Sequence, residues 1–159
     1  MRIVHRPHGV MAVIGPFNFP GHLPNGHIIP ALLAGNTVVF KPADLVPGCA
    51  WAMADILARA GLPNGVFNLV MGRGSVVGET LLESPDVDAI SFTGSVDVGR
   101  RVAEASAKHM RKFQLEMGGK SPLVVLDDAD LPTAVECAVN GAYFQTGQRC
   151  TASSRLVVT

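Results

Sequence analysis

The stretch Ala89-Ile90-Ser91-Phe92-Thr93-Gly94-Ser95 runs from an apolar segment into a glycine and a hydroxyl residue, and beyond it the pattern turns helical to about Lys108. A short strand, a glycine turn and a serine able to cap a helix make one strand-to-helix unit. The unit recurs along the chain. Strand 10–14 is stopped by Gly15-Pro16, and a helical pattern over 27–34 is closed by Gly35-Asn36. Thr37-Val38-Val39-Phe40 reads as a strand ending at Lys41-Pro42, and Pro47 opens a helix through Ala60 with Gly61 at its C-terminal end. Strand 66–70 leads through Gly72-Arg73-Gly74 into a helix reaching Glu83. Strands follow over 112–116 and 122–126, Asp130 caps a helix to about Phe144, and a last strand begins at Arg155. Such alternation predicts an α/β fold, a Rossmann-like parallel sheet with helices on both faces. Right-handed crossovers place the turns after the strands on one edge, where sheets of this kind bind ligands. Lys41, Gly72 to Gly74 and Gly94-Ser95 all fall at such turns.

Composition excludes several classes of function. The chain has 159 residues, 48% hydrophobic and 16% charged, the balance of a folded domain with a core rather than of a disordered chain. Thirteen basic residues against thirteen acidic ones leave no net charge, so neither a nucleic-acid face nor a polybasic membrane patch is indicated. No apolar run approaches the roughly 18–20 residues needed to span a bilayer, and the opening stretch 1–7 lacks the form of a secretion leader. Cys49, Cys137 and Cys150 form no CxxC pair, which argues against a zinc site or a disulfide framework and for reduced thiols in the cytoplasm.

Several residues invite chemical readings, each beside an ordinary one. Gly72-Arg73-Gly74 offers backbone N–H groups to a phosphate, or is a turn needed for packing. Gly94-Ser95 offers the same, or Ser95 is a simple helix cap. Lys41 can reach ribose hydroxyls or a phosphate, or is a solvated strand end. Asp44 can accept from a ribose hydroxyl, or caps a turn. Glu116 stands at a strand end before Gly118-Gly119, which allow a ligand close to the backbone. Cys137 and Cys49 suit buried apolar positions. Cys150 suits one less well, since Gly147, Gln148, Arg149 and Thr151 make a poor core. A neighbouring Arg149 can also favour a thiolate. Asn18, just past the first strand, can donate to a developing oxyanion, or bonds its own turn.

Six segments in order carry a resemblance: Gly-Pro-Phe-Asn-Phe-Pro at 15–20, Gly-Asn-Thr-Val-Val-Phe-Lys-Pro-Ala-Asp at 35–44, Gly-Leu-Pro-Asn-Gly-Val-Phe-Asn at 61–68, Ser-Phe-Thr-Gly-Ser at 91–95, Leu-Glu-Met-Gly-Gly-Lys at 115–120 and Gly-Gln-Arg-Cys at 147–150. Each is moderately specific, and the ordered set resembles the aldehyde dehydrogenase superfamily over essentially the whole chain. The resemblance implies NAD or NADP as cofactor, a small aldehyde as substrate, and a parent enzyme that is a homodimer or homotetramer. It implies Cys150 as nucleophile, Glu116 as the base that activates water and Asn18 as oxyanion donor. Phe17, Asn18, Lys41, Asp44, Gly94, Ser95 and Met117 match cofactor-facing positions. No metal site is implied.

The departures shape further expectations. Asp44 stands where many NAD-preferring members carry glutamate, and a shorter carboxylate leaves room for a 2′-phosphate, which predicts dual or NADP-leaning use. Thr146 stands where asparagine is frequent. His22 to His27 resembles the succinylglutamate-semialdehyde branch, and 44–159 looks more like dehydrogenases of succinate or 2-oxoglutarate semialdehyde. A carboxylated semialdehyde fits both, with Arg149 as a candidate carboxylate partner. Residues 1–117 are expected to form the NAD(P)-binding domain and 118–159 the start of a catalytic domain, incomplete by comparison with the family. Exposed apolar surface, open strand edges and little activity from these residues alone are then expected. A non-catalytic dinucleotide-binding or interaction module descended from the family is the competing expectation. Intact Asn18, Glu116 and Cys150 count against it.

Overall fold

The computed structural model describes residues 3–159. Met1 and Arg2, part of the opening stretch read for a leader, lie outside the described residues. The chain divides into one unit reaching Glu116 and a second from Met117 to Thr159.

The first unit contains β1 (Val10–Ile14), α1 (His22–Leu33), β2 (Thr37–Lys41), α2 (Pro47–Arg59), β3 (Phe67–Leu69), a π-helical turn (Gly74–Gly78), α3 (Glu79–Glu83), β4 (Ala89–Gly94), α4 (Val96–Lys108) and all but the last residue of β5 (Lys112–Met117). The sheet order is β3-β2-β1-β4-β5. Strand β1 pairs in parallel with β2 from Val10 opposite Thr37 to Ile14 opposite Lys41, and with β4 from Met11 opposite Ala89 to Ile14 opposite Phe92. Strand β3 pairs in parallel with β2. The chain builds outward from β1 to β3 and then returns to the other side of β1, so a topological switch point lies beside that strand.

Alternation along the strands supplies two cores, one on each face. Met11 and Val13 join Val38, Phe40, Phe67 and Leu69 beneath Ile28 and Ala31 of α1 and Ala50 of α2. Ala12 and Ile14 join Ile90, Phe92 and Leu115 beneath Leu82 of α3 and Val102 and Ala105 of α4. The sheet is thus covered on both faces, as the strand-helix alternation predicts.

The differences from the sequence reading have local causes. Helix α1 starts at His22, five residues earlier than the periodicity suggests. Pro24 falls in its first turn, where a backbone N–H has no intrahelical partner to lose. Its ring is buried, 2.7 Å from where a Cβ on Gly15 would stand. The segment 74–83 is a π-helical turn followed by a short α-helix, and Gly74 and Gly78 bound the irregular part. Cys49 and Cys137 are both exposed, contrary to the buried positions expected. In the first turn of α2 the core takes Ala50 instead. Cys137 lies on α5 (Leu131–Tyr143), which buries no residue at all.

The second unit is β6 (Ser121–Val125), α5, a 3-10 turn (Phe144–Gly147) and β7 (Ser153–Val158). The two strands pair in parallel around the helical crossover. Asp130 caps α5 as expected, its carboxylate accepting from the Thr133 N–H at 3.0 Å. None of residues 117–159 is buried. One helix on two strands has no second layer to close over it.

Arg111 secures the far side of the sheet. Its buried guanidinium donates to the carbonyls of Leu82, Ser84 (3.1 Å) and Val87 (3.3 Å), tying the start of β5 to the end of α3 and the approach to β4. Burial pulls its pKa below the usual arginine value, and the Glu83 charge opposes that. Arg111→Ala should strand those carbonyls and lower unfolding free energy by about 2–4 kcal/mol in denaturant titrations, with Arg111→Lys restoring part of it. A loss below about 0.5 kcal/mol would show that water replaces the guanidinium.

Candidate active site

Strands β1, β2, β3 and β4 run in one direction, so the turns after them share one edge of the sheet. After β1 come Gly15-Pro16-Phe17-Asn18, with Phe17 exposed and Asn18 half-buried. After β4 comes Ser95, whose hydroxyl accepts from the Val98 N–H at 3.4 Å and caps the 13-residue α4. Parallel pairing of β1 with β4 therefore sets Phe17-Asn18 and Gly94-Ser95 across the switch point, where a free helix N-terminus favours anionic groups. Gly94 is fixed by close approach: a Cβ there would lie 2.6 Å from Cζ of Phe92, a core residue. The capping role of Ser95 is thus real and does not exclude a ligand role.

The turn after β2 holds an ion pair. Lys41 is 4% exposed, and its Nζ donates to the Pro42 carbonyl at 2.8 Å and to Oδ1 of Asp44. Oδ2 of Asp44 accepts from the Gly74 N–H at 3.3 Å, which joins the turns after β2 and β3. The Lys41 hydrogen bond holds the Asp44 carboxyl below the usual aspartate range, opposed by desolvation and aided by the Lys41 charge, the Gly74 N–H and Arg73. Sequence reasoning names Lys41 and Asp44 singly and misses both their ion pair and the link to Gly74. The glycine turn spends the Gly74 N–H on Asp44. Gly72 serves packing: its φ is 146°, and a Cβ there would lie 2.7 Å from Cγ2 of Val77. Glu116 is exposed near the end of β5, with Met117 the last residue of that strand. A Cβ on Gly118 or Gly119 would meet nothing within 4 Å.

Cys150 is exposed in the second unit, in the turn that follows α5. That turn is conformationally unusual. Gln145, Thr146 and Gly147 have φ of 54°, 56° and 70°, three left-handed residues in succession. Only glycine adopts that region without penalty, and a β-branched threonine is poorly suited to it. Gly147 is doubly constrained, because a Cβ would lie 2.9 Å from the Ala142 carbonyl. Arg149 closes the turn: Nη2 donates to the carbonyls of Asn140 (2.9 Å) and Gly141 (3.1 Å), and the guanidinium lies 5.1 Å from the centre of the Phe144 ring. A cation on the last carbonyls of a helix is favourable. Nη2 of Arg149, the candidate partner for a substrate carboxylate, is engaged at the end of α5, while its Nε has no hydrogen-bond partner.

The aldehyde dehydrogenase family model matches residues 1–159. The chain belongs to the aldehyde dehydrogenase family. It is 51% identical over 158 residues to N-succinylglutamate 5-semialdehyde dehydrogenase 1 of Caulobacter vibrioides, a match covering 99% of this chain and 33% of that protein. Among solved structures, an NADP dependent enzyme of E. coli superposes with a TM-score of 0.93 at 46% identity, covering 96% of this chain and 32% of that one. An aldehyde dehydrogenase of Bacillus cereus in complex with NAD+ superposes with a TM-score of 0.90 at 40% identity, covering 97% and 31%. The chain spans about a third of the length of these relatives. Among the described residues, no group of three metal-binding side chains occurs, and no helix is long and apolar enough to cross a membrane.

Two outcomes follow from this geometry. Because the Asp44 pKa is depressed on folding, its stabilising contribution is fully present above the ordinary value of 3.8 and is lost as pH falls through the folded value. Asp44→Asn should therefore melt below the parent chain near neutral pH, with the gap closing in the acid range; a gap independent of pH would contradict the ion pair. In the turn before Cys150, Gly147→Ala should destabilise locally by about 1–2 kcal/mol and speed amide exchange over 144–150, whereas Thr146→Asn should slow it. Equal exchange in all three chains would show that the left-handed run does not persist.

Proposed function

We propose that this chain is the cofactor-sheet and nucleophile segment of an NAD(P)-dependent dehydrogenase that oxidises a carboxylated semialdehyde to the acid. The observation that carries the reading is Cys150, an exposed thiol in a turn shaped by Gly147 and Arg149, in a chain of this family. Support for a semialdehyde comes from the name of the Caulobacter relative.

The residues present suit a dinucleotide. Lys41 has three N–H donors, of which two are engaged within the turn, and the Asp44 carboxylate keeps lone pairs beyond its two partners. Donor and acceptor side by side are what a vicinal ribose diol needs. Phe17, Asn18, Gly94, Ser95 and Met117 would line the remainder, with Ser95 at the positive end of α4. When bound, the oxidised nicotinamide supplies the hydride acceptor.

The chain's own residues then carry the covalent steps. The Cys150 thiolate adds to the aldehyde carbonyl carbon, forming a C–S bond and an oxyanion. The Asn18 amide and the Cys150 backbone N–H would hold that charge. Loss of hydride from the same carbon restores the carbonyl as a thioester. Glu116 takes a proton from water, whose oxygen adds to the thioester and expels the thiolate, releasing the acid. Splitting one oxidation into two steps through sulfur is the gain from covalent attachment. Asp44, shorter than glutamate, favours acceptance of both NAD and NADP. A cytoplasmic homodimer or homotetramer completes the proposal, as does low turnover by the 159 residues alone.

The test is a chimaera in which this chain replaces the matching third of the Caulobacter enzyme. Semialdehyde-dependent reduction of NAD or NADP should be retained, and Cys150→Ser should lower kcat by about 10⁴-fold or more. Comparable rates with both cofactors are expected. An inactive but folded chimaera, or activity insensitive to Cys150→Ser, would overturn the proposal, while a strict preference for NAD would remove only the cofactor reading.

A further inference from the structure

Away from these residues the first unit contains a cavity of about 250 Å³ between α1 and the face of the sheet it only partly covers. Seven side chains give it its chemistry: His5, Arg6 and His8 from the segment before β1, His27 from α1, Asn36 just before β2, Ser91 from β4 and Gln114 from β5. None of the residues matched to cofactor or catalysis lines it.

The lining has a one-sided polarity. It contains a guanidinium, three imidazoles, two carboxamides and a hydroxyl, and no carboxylate. This occurs in a chain whose acidic and basic residues balance, 13 against 13. The Ser91 hydroxyl is the decisive observation. Ser91 is 2% exposed, and its Oγ has no hydrogen-bond partner. A buried hydroxyl left unpaired is destabilising, and a ligand or water that bonds to it removes that penalty. The backbone beside it is set firmly. Asn36 accepts from the His8 and Gly9 N–H groups at 2.6 and 3.1 Å and donates to the Ala31 carbonyl at 2.9 Å, which fixes the segment carrying His8 against the end of α1.

A cation does not suit this lining, because Arg6 is permanently charged and no group of three metal-binding side chains occurs among the described residues. A small oxyanion does: guanidinium donors pair well with phosphate or carboxylate oxygens, imidazole N–H groups add further donors, and a serine hydroxyl completes the set. We propose that this cavity is a binding site for a small oxyanion, phosphate or carboxylate, anchored by Arg6, His27 and Ser91. It goes beyond the dehydrogenase reading, and neither depends on the other.

The experiment is a heteronuclear NMR titration of the whole 159-residue chain with inorganic phosphate and, separately, with acetate, at constant ionic strength against sodium chloride. Saturable shifts should centre on His8, His27, Ser91 and Gln114 for at least one of the two anions, and the stronger response names the class. Arg6→Gln should weaken binding by about tenfold or more, as loss of one charge-assisted pair predicts, and His27→Gln should weaken it independently. Ser91→Ala, which removes the orphan hydroxyl without adding volume, should weaken it while leaving the spectrum elsewhere unchanged. Shifts that follow chloride equally, that rise linearly without saturation, or that persist unchanged in Arg6→Gln and His27→Gln would overturn the proposal.

Discussion

Strand β1 is hydrogen-bonded in parallel on both sides, to β2 and to β4, and the arrangement of the first unit depends on that pairing. It makes β1 the strand at which the chain changes direction of growth. It also aligns Ile14 with Lys41 on one side and with Phe92 on the other. The turns that follow therefore emerge together, and residues 18, 41 and 95, far apart in sequence, stand along one edge. A one-residue slip of β1 would exchange Val13 with Ala12 and Ile14 between the two cores, so burial on both faces enforces the register.

Much of this is legible in the sequence because the physical signals are local and repeated. Thr37 to Phe40 is β-branched and aromatic, Asp130 caps by its own side chain, and Ser95 does the same. Each needs only a few neighbouring residues. The features that sequence reasoning does not reach depend on distant atoms. The early start of α1 requires Pro24 to bury its ring near Gly15 and Phe40, which no window around residue 24 reveals. The bond between Asp44 and Gly74 spans thirty residues. The bonds from Arg149 to the carbonyls of Asn140 and Gly141 reach back nine and eight residues, and the residue type alone does not announce them. Residue type alone points Cys49 and Cys137 to a core, yet Ala50 fills that place in α2 and α5 has no core to enter.

The second unit shows how a site can be locally built without being buried. Val124, Leu131, Val135, Val139 and Tyr143 are all more than half exposed, as one helix over two strands must leave them. The turn before Cys150 is nevertheless specified. Its three left-handed residues are held by a glycine whose Cβ position is occupied and by an arginine stapled to the preceding helix. Backbone held in sparsely populated conformations tends to mark functional positions, and here it leads directly to the proposed nucleophile. The proposed roles of Glu116 and Asn18 rest on family membership, whereas the restraint on Cys150 is a property of this chain's own geometry.

The central claim is that Cys150 becomes covalently acylated. Its most direct test is peptide mass spectrometry of the chimaeric enzyme carrying Glu116→Gln, quenched in acid after mixing with semialdehyde and oxidised cofactor. The account predicts an acyl thioester on the peptide containing Cys150, accumulating because water is no longer activated, with Cys49 and Cys137 unmodified. Turnover without that adduct, or an adduct on another residue, would contradict it.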